Sequence, residues 1–203
     1  MIADCTAIIL AGGDSRRMGQ DKANLLLGKQ SLLQHVATVM QQQFPSIMVS
    51  VRQPRPEIDL PQLCDDPAYS GPLAGLAAGL ERATTPWVFA VACDMPFITP
   101  VLIEYLAQCR NDYQAVVPLV HGYPQPLVAF YARGCLDEVQ KLLRGSGKHS
   151  LRALLDHLQV CYVDEAQMLA ADPQLRSFFD LDTPQDVVQA TNQMGEHDSS
   201  GDR

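Results

Sequence analysis

Short unbroken apolar runs alternate along the chain with stretches whose apolar residues recur at helical spacing. Ala7-Ile8-Ile9-Leu10 is the first such run, and it ends at Ala11-Gly12-Gly13. Continuous rather than alternating hydrophobicity predicts a strand covered on both faces. Ser31 and Gln34 have the spacing of a capping box, and Leu32, Leu33, Val36, Val39 and Met40 follow at helical period, which predicts a helix. Ile47-Met48-Val49-Ser50-Val51 reads as a second strand. Residues 53–70 hold Pro54, Pro56, Pro61 and Pro67 and predict a long structured loop. Residues 72–83 predict a helix of small residues. Each glycine in it lowers helix propensity by about 1 kcal/mol, which implies close packing on a neighbour. Trp87-Val88-Phe89-Ala90-Val91-Ala92-Cys93 is another buried strand and stops at Asp94-Met95-Pro96. Thr99 then caps a helix that has Pro100 at its first position.

The second half alternates less regularly. Residues 115–118 and 127–131 predict strands flanking the loop 121–126, residues 134–144 and 148–158 predict helices, and 159–163 a strand. Thr183-Pro184 repeats the earlier cap signal and opens a last helix over 184–192. Residues 195–203 carry no apolar side chain and are expected to be a disordered tail. Strands alternating with helices imply an α/β fold, a three-layer Rossmann-like domain over residues 1–194 with a mostly parallel sheet. In such sheets ligands bind beyond the carboxyl ends of the strands. The ends at Gly12-Gly13 and at Asp94 therefore matter most.

Composition narrows the class. The 203 residues are 47% apolar, enough to exclude disorder as the main state. A net charge of −8 disfavours generic binding to nucleic acid or an anionic membrane, so any phosphate site must be a local exception. No stretch approaches the ~20 apolar residues of a spanning helix, and the N-terminus does not read as a targeting signal. Six scattered cysteines without a C-x-x-C pair argue for reduced, mostly buried thiols and against a zinc site, so a cytoplasmic protein is expected.

The chemistry concentrates in residues 10–22, Leu-Ala-Gly-Gly-Asp-Ser-Arg-Arg-Met-Gly-Gln-Asp-Lys. A strand feeds two glycines, whose backbone N–H groups can turn toward an anion. Arg16, Arg17 and Lys22 then supply positive charge in an acidic chain. The bland alternative is a surface turn with solvated charges. Neither the P-loop nor the dinucleotide fingerprint is present. Asp94, at the end of a buried strand, offers an oxygen ligand for a metal or, more simply, a cap for the turn before Pro96. Gly145-Ser146-Gly147-Lys148-His149-Ser150 looks like a P-loop fragment but reads better as a turn between helices. His35 reads as a packed or surface histidine. The loop from His121 to Pro126 is either a plain turn or part of a ligand pocket.

The same run resembles the signature L-A-G-G-x-S-x-R-M-G-x-D-K of the molybdenum cofactor guanylyltransferases, within the nucleotidyltransferase superfamily. Gly71-Pro72-Leu73-Ala74-Gly75, Ala92-Cys93-Asp94-Met95-Pro96-Phe97 and Phe179-Asp180-Leu181-Asp182-Thr183-Pro184 resemble further segments of that family. The resemblance implies transfer of GMP from GTP to the terminal phosphate of molybdopterin, with release of pyrophosphate and Mg²⁺ as cofactor. By position, Leu10, Ala11, Gly12 and Gly13 would cradle GTP, and Arg17 and Lys22 would hold its phosphates. Asp66 matches a nucleotide-binding aspartate, and Asp94 the aspartate that meets both nucleotide and Mg²⁺. Ser50 stands where some relatives have an asparagine near the nucleoside. Asp180 and Asp182 replace the usual asparagines, which makes Asp182 a candidate second metal carboxylate. A monomer and a hand-off contact with the molybdenum-inserting enzyme are also implied. Other readings of the residues are a cytidylyl- or sugar-phosphate nucleotidyltransferase on the same fold, and a non-catalytic nucleotide-binding adaptor.

Overall fold

Successive side chains of a pleated strand point to opposite faces, and the first strand shows what the chain does with that rule. In β1 (Cys5–Leu10), Ala7 and Ile9 face one apolar cluster and Ile8 faces another. The computed structural model describes residues 1–12, 22–181, 186–188 and 190–191. After β1 come a short ladder of β2 (Leu26–Leu27) and β3 (Gln30–Ser31), then helix α1 (Leu32–Gln43) and β4 (Ser46–Val51). Strand β5 (Gln62–Cys64), helix α2 (Pro72–Arg82), β6 (Trp87–Ala92) and α3 (Pro100–Gln108) complete the first half. The second half holds β7 (Ala115–Val120), β8 (Tyr123–Pro124), β9 (Val128–Ala132), α4 (Leu136–Arg144), α5 (Leu151–Leu155), β10 (Val160–Val163) and α6 (Glu165–Met168).

The main sheet has the order β10-β7-β9-β6-β1-β4-β5, with β8 paired to β7. The pairs β1–β4, β1–β6, β4–β5 and β7–β10 are parallel, as expected. β9 runs antiparallel to both β6 and β7. It does so because β7 turns back through the β8 hairpin, and His121 and Gly122 both adopt positive φ at its tip. Helices α1 and α3 cover one face, where Phe44, Phe89 and Phe130 pack together with ring centroids 4.7 to 6.3 Å apart. Helices α2, α4 and α5 cover the other face, over Ile8, Val88, Ala90, Val117 and Tyr131. This is the three-layer arrangement expected from the alternation of apolar runs.

Local signals hold in detail. Ser31 caps α1 in a full capping box with Gln34, and Thr99 accepts from the Leu102 N–H at the start of α3. The α2 glycines sit where close packing requires them. A Cβ on Gly79 would lie 1.7 Å from Ile8 Cδ1, and one on Gly75 would lie 2.6 Å from Ser50 Oγ. Three features depart from the sequence reading. The proline-rich segment contains β5, three residues paired to β4. The helix expected over 148–158 is confined to α5, because His149 bonds back to the Gly145 carbonyl and Ser150 becomes the cap. Helix α6 was not foreseen; Asp164 caps it in a capping box with Gln167. The last helix is described only at 186–188 and 190–191, and the 195–203 tail lies outside the described residues.

Candidate functional site

Strands β1, β4, β5 and β6 end on the same side of the sheet, because all four are parallel neighbours. Their backbones stay joined past the strand ends: Ala11 N–H donates to the Ser50 carbonyl (2.9 Å), Cys93 N–H to the Leu10 carbonyl (3.1 Å) and Asp65 N–H to the Val51 carbonyl (3.1 Å). Residues from four separate segments are thereby held around one edge.

Lys22 and Asp94 meet there. Lys22 Nζ lies 2.9 Å from Asp94 Oδ2, and the two side chains are 20% and 17% exposed, so the pair is neither solvated nor sealed. An ion pair that ligands can still reach can exchange partners when a charged ligand arrives. Asp94 is positioned from both sides: β6 delivers it, and its carbonyl accepts the Leu181 N–H (3.0 Å). Beside it, burial first and Asp94 second push the Cys93 thiol up to about 12, against the pull of Lys22 and Arg55. Cys93 is a packed, buried thiol.

A second carboxylate stands at the neighbouring strand end. Ser50, fully buried in β4, donates its hydroxyl to Asp65 Oδ1 (2.7 Å). Asp65 Oδ2 also comes within 3.4 Å of where a Gly12 side chain would begin. Burial holds the Asp65 pKa above the ordinary aspartate value, against the pull of the Ser50 hydrogen bond and Arg52. The adjacent Asp66, the residue favoured by the sequence reading, is exposed and accepts the Ala68 N–H (2.8 Å) in a local turn. Successive residues leaving a strand point opposite ways, which is why a one-residue difference separates a carboxylate facing Ser50 and Gly12 from a turn cap. The adjacency of the two aspartates was visible in the sequence, but only the register of β5 on β4 tells them apart.

A cavity of 860 Å³ lies between the β8 hairpin and the segment 174–180, which leads into Leu181, the residue bonded to the Asp94 carbonyl. Tyr123, Phe178, Phe179, Arg176, His121 and Asp180 line it. Arg176 lies over the Phe97 ring at 4.9 Å from its centroid, and Phe97 contacts Phe179 at 6.2 Å. Buried Asp172 builds this wall by accepting the Arg176 and Ser177 N–H groups (3.1 and 2.8 Å), while Leu175 takes a left-handed conformation. Sequence reasoning missed this strap, whose only advance signal was an aspartate a few residues before a serine. His121 pairs with Glu165 at the surface.

Of the remaining candidates, Leu10, Ala11 and Gly12 form the strand end, and Ser50 lies beneath it. Gly13, Arg17 and Asp182 lie outside the described residues. His35 bonds the Leu27 carbonyl (2.9 Å), and the P-loop-like fragment is the turn between α4 and α5. Among the described residues, no three His, Cys, Asp or Glu side chains gather into a metal cage, and no helix is long and apolar enough to cross a membrane. The six cysteines are free thiols, with Cys5, Cys93 and Cys135 buried.

Comparison with known proteins agrees with this fold. Residues 7–164 match the model of the MobA-like NTP transferase domain. The chain is 36% identical over 187 residues to a probable molybdenum cofactor guanylyltransferase of Pelotomaculum thermopropionicum, covering 91% of each protein. It is 35% identical to the molybdenum cofactor guanylyltransferase of Syntrophotalea carbinolica, over 89% of this chain and 88% of that one. The crystal structure of molybdopterin-guanine dinucleotide biosynthesis protein A from Archaeoglobus fulgidus superposes with a TM-score of 0.83 at 26% identity, over 94% of this chain and 99% of that one.

Proposed function

The chain belongs to the MobA-like NTP transferases, and from that premise we propose that it transfers GMP from GTP to the terminal phosphate of molybdopterin, forming the guanine dinucleotide cofactor and releasing pyrophosphate. The observation that carries this reading is the Lys22–Asp94 pair at the edge formed by β1 and β6, where the Gly12 backbone also ends its strand and Leu181, next to the aromatic cavity, bonds the Asp94 carbonyl. Nucleotide on the Gly12 side and acceptor in the cavity would put the α-phosphate beside Asp94.

The reaction suits such a site. An oxygen of the acceptor phosphate forms the new bond to the α-phosphorus, and the α–β bridging bond breaks to release pyrophosphate. A phosphate monoester is already largely ionised at pH 7, since its second pKa is about 6. No general base is needed, and positioning and charge neutralisation supply the catalysis. Lys22 offers a cation for the triphosphate, and Arg17 is its expected partner. Asp65, held by Ser50, takes the nucleotide-facing role that the sequence suggested for Asp66. The walls of the cavity, with Tyr123, Phe178 and Arg176, have the aromatic and cationic character that a phosphorylated pterin needs.

Nucleotidyltransferases generally use a divalent metal, and Mg²⁺ fits the donors here. Asp94 is a hard oxygen ligand at a half-open position, and Mg²⁺ commonly takes one or two carboxylates together with substrate phosphates and water. Asp94 would hold it, with Asp182 the expected second carboxylate; when bound, the ion neutralises charge on the phosphates. A cytoplasmic monomer that hands its product on by contact with the molybdenum-inserting enzyme completes the reading.

The test is calorimetric titration with GTP, CTP, ATP and UTP, each with and without Mg²⁺. The expected result is a clear preference for GTP. A preference for CTP would retain the fold and the Asp94 role but change the product, and binding of none would overturn the nucleotide reading.

A further inference from the structure

Resting on the nucleotide reading above, we propose that Arg55 is a further phosphate contact, held by its own loop for the polyphosphate end of the bound nucleotide. Arg55 lies in the segment between β4 and β5, within Gln53-Pro54-Arg55-Pro56-Glu57. Together with Ala11, Gly12, Arg52 and Pro54 it lines a cleft of 420 Å³. One wall of that cleft is the glycine backbone at the end of β1, so a phosphate lying against Gly12 faces Arg55.

The loop is built to hold this residue still. The Gln62 side chain, on β5, closes on both polar groups of the Arg55 backbone. Arg55 N–H donates to Gln62 Oε1 (2.8 Å), and Gln62 Nε2 donates to the Arg55 carbonyl (2.8 Å) and the Ile58 carbonyl (3.1 Å). Prolines on either side limit the freedom of the backbone further. The Arg55 side chain is only 15% exposed, although it stands on a loop, and its Nε lies 3.4 Å from Glu57 Oε1. The same Glu57 oxygen accepts from Asn24 Nδ2 (3.5 Å), in the single helical turn Lys22–Asn24. Arg55 is thus tied through Glu57 to the turn that carries Lys22.

The Glu57 side of the Arg55 ion pair is half exposed, so that pair contributes little to stability. A guanidinium offers five donors in a planar fork, which matches phosphate oxygens two at a time. A guanidinium on the wall of a glycine-lined cleft provides a phosphate subsite distinct from Lys22.

The experiment titrates GTP and GMP into the full-length wild type, Arg55→Ala and Arg55→Lys, with melting curves for each. GMP lacks the β- and γ-phosphates and isolates the effect. The expected result is a loss of GTP affinity of about 10-fold to 100-fold in Arg55→Ala, the range of a charged hydrogen bond. GMP affinity should change by less than about threefold, and Arg55→Lys should recover part of the loss. Should Arg55→Ala melt early, Arg55→Gln carries the same comparison. Equal losses for GTP and GMP, or an unchanged GTP affinity while the wild type binds GTP, would overturn the Arg55 role alone. A wild type that binds neither nucleotide would overturn the nucleotide reading and this inference with it.

Discussion

Lys22 and Asp94 are 72 positions apart in the chain and 2.9 Å apart in space. Asp94→Ala should abolish metal-dependent transfer while circular dichroism shows an intact fold, and near-normal turnover in that variant would refute the metal role. Lys22→Ala should slow transfer by about 10²–10³, the usual cost of removing one charge-stabilising contact, and weaken GTP binding in the same titration. Asp65 makes a prediction in pH. Burial raises its pKa in the folded protein above the ordinary value of 3.8, so the native state binds the proton more tightly than the unfolded chain. Stability therefore falls as pH rises from that ordinary value through the raised one, and the loss persists at neutral pH. Asp65→Asn keeps an oxygen for the Ser50 hydroxyl and removes the buried charge. It should melt higher than wild type at pH 7, with the gain narrowing as pH falls toward 4, while nucleotide binding weakens. A lower melting temperature at pH 7 would contradict the burial argument. Active sites commonly trade stability for function in this way.

At the scale of elements, α2 is where sequence and packing can be separated most cleanly. Its glycines cost helix propensity, and Gly71, with φ of +87°, opens the helix in a conformation that other residues avoid. Gly79→Ala would gain about 1 kcal/mol of propensity but would drive a methyl group into fully buried Ile8. Overpacking of this kind costs about 1–3 kcal/mol, so denaturant titration should show net destabilisation; a stabilised variant would mean that α2 can lift off β1 freely. Gly75→Ala presses on Ser50 Oγ and Leu10 Cδ2 instead. It should disturb the Ser50–Asp65 bond and weaken nucleotide binding more than its stability loss explains. The elements legible in the sequence were those with strong local signals: the capped helices α1 and α3, and the long apolar strands β1, β4 and β6. Strand β5 escaped because three residues inside a proline-rich loop carry no period, and its pairing comes from β4 alongside.

For the whole molecule, one sheet serves both apolar layers. Helices α1 and α3 on one face and α2, α4 and α5 on the other lean on the same strands. Neither layer keeps its partner if the sheet opens, so residues 1–194 are expected to unfold as one unit. The single tryptophan, Trp87, begins central strand β6 beneath Arg110, 5.3 Å from its ring. Its fluorescence and the far-ultraviolet dichroism should follow coincident transitions in denaturant; two separated transitions would reveal independent halves.

The chain's own pattern determined the α/β class, the boundaries of the long elements, the glycine-led strand end and the choice of Lys22 and Asp94 as candidate site positions. Those properties rest on local periodicity, caps and residue chemistry, all of which are written in consecutive positions. Only the tertiary structure decided that β9 runs against its neighbours, that Asp65 rather than Asp66 faces Ser50 and Gly12, and that Arg55 lines the cleft beside Gly12. Each depends on the register of one strand against another or on a loop fastened by a distant side chain. A shift of one residue reverses the direction of every side chain in a strand, and no run of neighbouring letters records it.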